Sequence, residues 1–232
     1  MKAPQTTTDV RSALAALGRT GFDWRQFASE RMSVNAELAR RSAVLILFGP
    51  LDGVLHGDGA HPDPVDPAHA DVLLLRRASS LLHHPGQIGF PGGGVEPADG
   101  DIRATAVREA VEETGLDPDG LELFDPLPDL PLAVSNHLVT PVPAWWRHPS
   151  PVHAVDAAET AEVFRAPVAR LLDPANRVNV TRMRGVDLPP MPAFELDGRL
   201  IWGFTAIILS GMFDTLGWTV PWDAARTVEP DV

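Results

Sequence analysis

Three carboxylates in the stretch Arg108-Glu109-Ala110-Val111-Glu112-Glu113-Thr114-Gly115 fall at i, i+3 and i+4. Side chains at those offsets share one face of a helix, so the three acids project into one small region. Like charges so placed repel one another, and a hard divalent cation reverses that sign. Mg²⁺ takes oxygen ligands in octahedral geometry and bridges carboxylates to substrate phosphates. A bare acidic run of this kind is usually a solvated face. Here Arg108 stands four residues before Glu112 and can hold it, and Gly92-Gly93-Gly94 lies just upstream. Glycines let backbone groups come close to a ligand.

A helix over 99–114 positions these acids. Asp99 or Asp101 caps its start and Gly115 supplies the left-handed stop. Ile102, Ala106 and Ala110, with Val107 and Val111 beside them, form its apolar side, small enough to lie close to a sheet. Ala43–Phe48 is an unbroken apolar run ended by Gly49-Pro50, and Val72–Leu75 is another, so both read as strands buried on two faces. Residues 8–17 have helical spacing, capped by Thr8 or Asp9. Segment 56–70, rich in Pro, Asp and Gly, reads as an exposed connection. Prolines punctuate short strands over 121–144, and Trp145-Trp146 reads as buried in a sheet or interface rather than stacked on a base. Residues 159–172 read as helical around Pro167. Arg199–Trp202 reads as a strand entering a last amphipathic helix whose face Ile208, Met212 and Leu216 is core or a homodimer contact. Strands alternating with helices make the class α/β or α+β.

The chain has 232 residues and a formal net charge of −12. That length is ample for a sizeable core. The acidic balance argues against a nucleic-acid partner, which needs clustered Lys and Arg. There is no cysteine, which excludes disulfides and thiolate ligands. The apolar stretch Leu200–Phe213 is too short for a bilayer, and the first residues lack the apolar core of a secretory signal. No membrane association and a cytoplasmic location are therefore expected. Residues 1–39 read as a helical lead-in, 40–217 as the working domain and 218–232 as a loose tail.

Arg108–Leu116 resembles the second half of the Nudix box, whose pattern is G-x5-E-x7-R-E-U-x-E-E-x-G-U with U aliphatic. In the first half, one extra residue sets Gly93 at the first glycine and Asp99 at the acidic position. The coenzyme A pyrophosphatase branch of the family carries that insertion, together with an upstream motif LLTxRSx3Rx3GxVxFPGG. Leu73-Leu74-Leu75-Arg76-Arg77-Ala78 and Gly86-Gln87-Ile88-Gly89-Phe90-Pro91-Gly92-Gly93 match it in spacing, whereas Leu82 replaces its second Arg. His83 or His84 could supply that missing cation. Thr140-Pro141-Val142, Glu159–Phe164 with Pro167, and Trp202-Gly203-Phe204-Thr205-Ala206 resemble later family segments.

The resemblance implies a Nudix fold, a mixed β-sheet sandwiched between helices with a loop–helix–loop box. It implies hydrolysis of a small-molecule diphosphate with Mg²⁺ or Mn²⁺, coenzyme A or its derivatives giving 3′,5′-ADP and 4′-phosphopantetheine or its acyl form. Glu109 and Glu113, with Glu112 sharing and the Gly93 carbonyl added, become the metal ligands. Arg108 becomes their orienting group, and Glu112 and Glu159 are both open as general base. Arg77, Gly86, Phe90 and Gly92 become substrate contacts. Two alternatives remain: another nucleoside diphosphate derivative such as ADP-ribose or NADH, or an inactive Nudix fold that binds a ligand as a regulator.

Overall fold

The two aliphatic runs form the centre of an eight-stranded mixed sheet in a computed structural model, which describes residues 9–20, 22, 39–52, 64–81, 84–132 and 136–231. Strand β1 (Arg40–Pro50) pairs antiparallel with β2 (Ala70–Arg77) only between Phe48↔Val72 and Pro50↔Ala70. Beyond that point the two strands separate. The fork between them holds two very short strands: β3 (Ile88–Gly89) against β2, and β4 (Gly92–Gly94) against β1. On the other side of β1, short strands β5 (Leu121–Leu123) and β6 (Leu130–Leu132) both pair with β7 (His137–Trp146). Strand β7 in turn lies parallel to β1, from Arg40↔His137 to Phe48↔Trp145.

Alternation along β1 assigns its side chains to two layers. Leu45 and Leu47 join Leu73, Ala106 and Ala110 under a helix, Ile102–Thr114. Ile46 and Phe48 join Val72 and Leu74 on the opposite face. Helices α1 (Val10–Thr20), α3 (Val168–Leu172) and α4 (Phe204–Thr215) cover that second face, and the helix on the first face is α2 (Ile102–Thr114). The mixed sheet is thus enclosed by helices. Each fully buried leucine contributes roughly 1.5–3 kcal/mol of apolar transfer. Helix α2 starts at Asp101, whose carboxylate accepts the Ala104 N–H at 2.8 Å, and stops at Gly115 with φ 67°. Its buried alanines let it approach the sheet closely.

The N-terminal helix begins at Val10, after Asp9 accepts the Ser12 N–H at 2.9 Å, and buries Val10, Ala13, Leu14 and Leu17 in the main core. Expectations that fall on residues 1–8, on 23–38 of the lead-in, on the connection 53–63, or on Leu82 and His83 lie outside the described residues. Trp145 and Trp146 are buried in opposite layers. Ile208 and Met212 lie in the core, and Leu216 packs against it.

Three expectations need correction. Residues 160–167 form strand β8 (Thr160–Pro167), paired with β2 from Asp71↔Pro167 to Arg77↔Thr160. Open edge hydrogen bonds on β2, with Thr160, Val163 and Phe164 as β-formers, outweigh the local helical spacing; only α3 follows Pro167. Helix α4 is not amphipathic, because Thr205–Phe213 is buried on every side. It packs against a second sheet made of β9 (Arg177–Met183), β10 (Val186–Leu196), β11 (Arg199–Ile201) and β12 (Thr227–Val228). The order of its four strands is β11–β10–β9–β12.

The stretch from Trp218 onward, expected as a loose tail, is docked instead. Gly217, with φ 70°, turns the chain out of α4. Trp218 is then buried in the main core, and β12 pairs in parallel with β9. The Asn179 amide donates to the Ala224 carbonyl at 2.7 Å, and the Arg226 guanidinium to the Arg177 carbonyl at 3.1 Å. These anchors are side chain to backbone and carry no periodicity that a sequence could display. Among the described residues, no helix is long and apolar enough to cross a membrane.

Candidate active site

The fork between β1 and β2 brings the glycine run against the acidic helix. The Gly92 N–H donates to Glu113 Oε2 at 2.8 Å. A Cβ on Gly92 would meet the Ala43 carbonyl oxygen at 2.3 Å, and one on Gly93 would meet the Glu109 carboxylate at 2.4 Å. No side chain fits at Gly92, which faces backbone, and one at Gly93 would displace the Glu109 carboxylate. Close approach is therefore the reason for these glycines.

Arg108 organises the loop that leads into the helix. Its Nε and Nη2 donate to the two Asp99 oxygens at 2.9 and 3.1 Å, and Nη2 also donates to the Gly94 carbonyl at 2.9 Å. Its Nη1 reaches Glu112 at 3.0 Å and Glu109 at 3.1 Å. Asp99 further accepts the Glu96 N–H at 2.9 Å and the Thr105 hydroxyl at 2.8 Å. The Arg108 guanidinium, then these hydrogen bonds, hold the Asp99 carboxyl well below the usual range. Charge-assisted bonds to an ionised acceptor have that effect.

Glu113 has the opposite environment. Burial pushes its carboxyl up to about 7. The Gly92 N–H and Arg77 pull it down, while Glu109 and Glu159 push it further up. Burial also raises Glu109, against the pull of Arg108. Glu109, Glu113, Glu159 and Arg77 thus form one electrostatic neighbourhood. The Arg77 Nε is buried and has no hydrogen-bond partner among the described residues. Glu159 comes in from the turn before β8, where its carbonyl accepts the Ala78 N–H at 2.8 Å.

Not every expected residue belongs to this neighbourhood. Glu112 is more than half exposed and is tied to Arg108 at the rim. Phe90 is buried in the main core, where it anchors the glycine segment from below. An aromatic residue in a loop with that fate is core, not a substrate contact. Gly86 lines a cavity that contains none of the box carboxylates. One contact was missed from sequence: the Thr205 hydroxyl at the start of α4 donates to the Ile88 carbonyl at 2.9 Å. The Trp202–Ala206 motif was its visible signal.

Among the described residues, no group of three His, Asp or Glu side chains is gathered as a metal site. The donor chemistry nevertheless fits a hard divalent cation. Glu109 and Glu113 are carboxylates one helical turn apart, and both are driven toward protonation by burial and by charges of their own sign. A cation held between such groups relieves that penalty.

The NUDIX domain family model matches residues 64–177. An uncharacterized Nudix hydrolase, NudL, from Cronobacter sakazakii is 39% identical over 101 residues, covering 44% of this chain and 52% of that protein. The uncharacterized Nudix hydrolase NudL of Photorhabdus laumondii is 32% identical over 138 residues, covering 60% of this chain and 73% of that protein. The chain therefore spans from about half to about three quarters of the length of these relatives. The crystal structure of a Nudix hydrolase from M. smegmatis, RenU, superposes with a TM-score of 0.40 at 24% identity, over 55% of this chain and 70% of that one. The chain belongs to the Nudix hydrolase family.

Proposed function

We propose that this protein is a cytoplasmic, divalent-metal-dependent pyrophosphohydrolase that cleaves the diphosphate linkage of coenzyme A or its derivatives. The products are 3′,5′-ADP and 4′-phosphopantetheine or its acyl form, and the metal is Mg²⁺ or Mn²⁺. One observation carries the reaction class: half-buried Glu113, held by the Gly92 N–H at 2.8 Å, stands one helical turn from Glu109 and near a guanidinium whose Nε lacks a partner among the described residues. The run from Leu73 to Gly93 supports the substrate, since it matches the coenzyme A branch in spacing.

Glu109 and Glu113 would hold the cation, with the Gly93 carbonyl beside them. When bound, a divalent ion neutralises the diphosphate and lowers the pKa of water. Arg108 keeps Glu109 and Glu112 in place and takes no part in substrate contact. Arg77 binds a phosphate oxygen, as guanidinium geometry favours. Glu159 takes the proton of the attacking water, because it lies within the Glu113 neighbourhood while Glu112 is committed to Arg108 at the rim.

A substrate panel of coenzyme A, acyl-coenzyme A, ADP-ribose and NADH, each with Mg²⁺ and with Mn²⁺, tests this reading. Coenzyme A is expected to be turned over fastest. Faster hydrolysis of ADP-ribose would move the substrate to that class, which Leu82 at the position of the motif's second Arg makes the relevant competitor. Equal rates of 3′,5′-ADP formation from coenzyme A by wild type and Glu113→Gln would replace the enzyme by a ligand-binding protein.

A further inference from the structure

A cavity of about 360 Å³ lies where the end of β2 and the loop before β3 face β11 and the segment after β12. Its volume is that of a small-molecule site. Arg76 and Arg77 mark the two sides of β2. Arg77 influences Glu113, whereas Arg76 lines this cavity together with Ile88 and Trp202. Ile88 is only four residues before Gly92, so the extended chain between them spans at most about 14 Å. The cavity is therefore one substrate arm away from the acidic neighbourhood.

Its electrostatics favour an uncharged group over a phosphate. The lining cations are Arg76 and Arg199, and both already face Glu162, at 3.4 and 3.3 Å. Glu229 and Asp231 also line the space. Glu229 accepts the Gly185 N–H at 3.0 Å, and Asp231 is exposed. An incoming anion would meet the carboxylates of Glu229 and Asp231, beside two cations that already share Glu162. What remains is an apolar wall of Ile88, Leu200, Trp202 and Val228, interrupted by the Gln87 amide and by backbone at Gly86 and Gly198. That mixture suits a flexible uncharged chain with aliphatic branches and amide groups. A flat base would need two parallel walls, and Trp202 is the one aromatic residue among the described residues of the lining.

We infer that this cavity binds the uncharged, amide-bearing arm of the diphosphate substrate, remote from the bond that is cleaved. The inference rests on the coenzyme A reading and deepens it: the pantetheine arm would seat against Leu200, Trp202 and Val228, with its amides at Gln87 and the glycine backbone. The nucleotide half then lies outside this cavity. Recognition of the two halves is divided between two faces of the main sheet.

The test is binding of free pantetheine to the metal-free full chain, followed by calorimetry and by NMR of the Trp202 indole. Leu200→Trp and Val228→Trp each fill the cavity from a different strand, and neither residue belongs to the proposed reaction machinery. Wild type is expected to bind pantetheine, and each variant that keeps the wild-type circular dichroism is expected to lose it. KM for coenzyme A should rise about tenfold with kcat little changed, while inhibition by 3′,5′-ADP, which lacks the arm, stays the same. No pantetheine binding by wild type overturns the inference, as does adenosine shifting the indole in its place. Equal weakening of coenzyme A and 3′,5′-ADP overturns it too. Failure of wild type to hydrolyse coenzyme A instead overturns the functional reading, and the binding measurement is independent of turnover.

Discussion

Asp99 and Glu113 are both carboxylates largely shielded within one helix-and-loop unit, yet their environments are opposite. Asp99 has a guanidinium fork, a backbone N–H and a hydroxyl. Glu113, among the described residues, has one backbone N–H and three neighbouring charges, two of them of its own sign. The contrast separates scaffold from site. An acid that the fold neutralises is part of the support, and an acid that the fold leaves costly is where the proposed cation would be accommodated. The most direct way to break that distinction is to remove the charge at Glu113. Glu113→Gln should lower metal-dependent turnover about a hundredfold or more, measured as formation of 3′,5′-ADP from coenzyme A under saturating Mg²⁺.

Stability should move the other way. Because Glu113 is raised from its ordinary 4.5 to about 7, the folded protein holds a proton there that the unfolded chain has released between those values. The metal-free wild type therefore loses stability as pH rises from 4.5 through 7, on the order of 3 kcal/mol in full. Urea unfolding in chelator at pH 5 and pH 8 should show that fall in wild type and a much smaller one in Glu113→Gln. A variant that is less stable than wild type at pH 8 would return Glu113 to the scaffold class.

Removing the scaffold charge sharpens the comparison from the other side. Arg108→Ala leaves Asp99, Glu109 and Glu112 without their shared partner, so both stability and turnover should fall. Supporting groups around a metal site typically affect activity by about 10–100-fold. Arg108→Lys should recover only part of this, because one ammonium cannot grip both Asp99 oxygens and the Gly94 carbonyl together. Thermal unfolding and kcat measured on the same preparations check both outcomes.

Much of this unit was legible because its determinants are local. Asp101, Gly115 and the spacing of Glu109 and Glu113 lie within one helix, and the glycine run precedes it by a few residues. Long-range pairing was not legible. Residues 160–167 become a strand because β2 presents an edge far away in the chain. The second sheet and the docking of the last residues depend on bonds such as Asn179 to Ala224. Alternation along β2 does separate Arg76 from Arg77, but not the partners each one meets. Thr205 shows the same limit. Its bond to the Ile88 carbonyl fixes the start of the segment that ends at Gly92. Thr205→Val should therefore reduce kcat about tenfold through misplacement, with about 1 kcal/mol lost in stability. Thr205→Ser should restore turnover. Loss of stability with unchanged kcat and metal dependence would reduce Thr205 to a packing residue.

The smallest effect is expected far from the box, where a second neutralised acid extends the scaffold class. Glu122 on β5 accepts Arg11 Nε and Nη2 at 2.7 and 2.9 Å and Arg147 Nε at 2.8 Å. These bonds tie helix α1 to the sheet edge and hold the carboxyl down to about 2. Its stabilisation is therefore complete above the ordinary 4.5 and lost as pH falls toward 2. The site is partly open to water, so screening limits the gain, and Glu122→Gln should cost about 1 kcal/mol at neutral pH. The cost should shrink in high salt, and kcat should not change. If kcat instead falls with Glu122→Gln while unfolding is unaffected, neutralisation by arginine no longer marks an acid as scaffold, and the contrast between Asp99 and Glu113 loses its meaning.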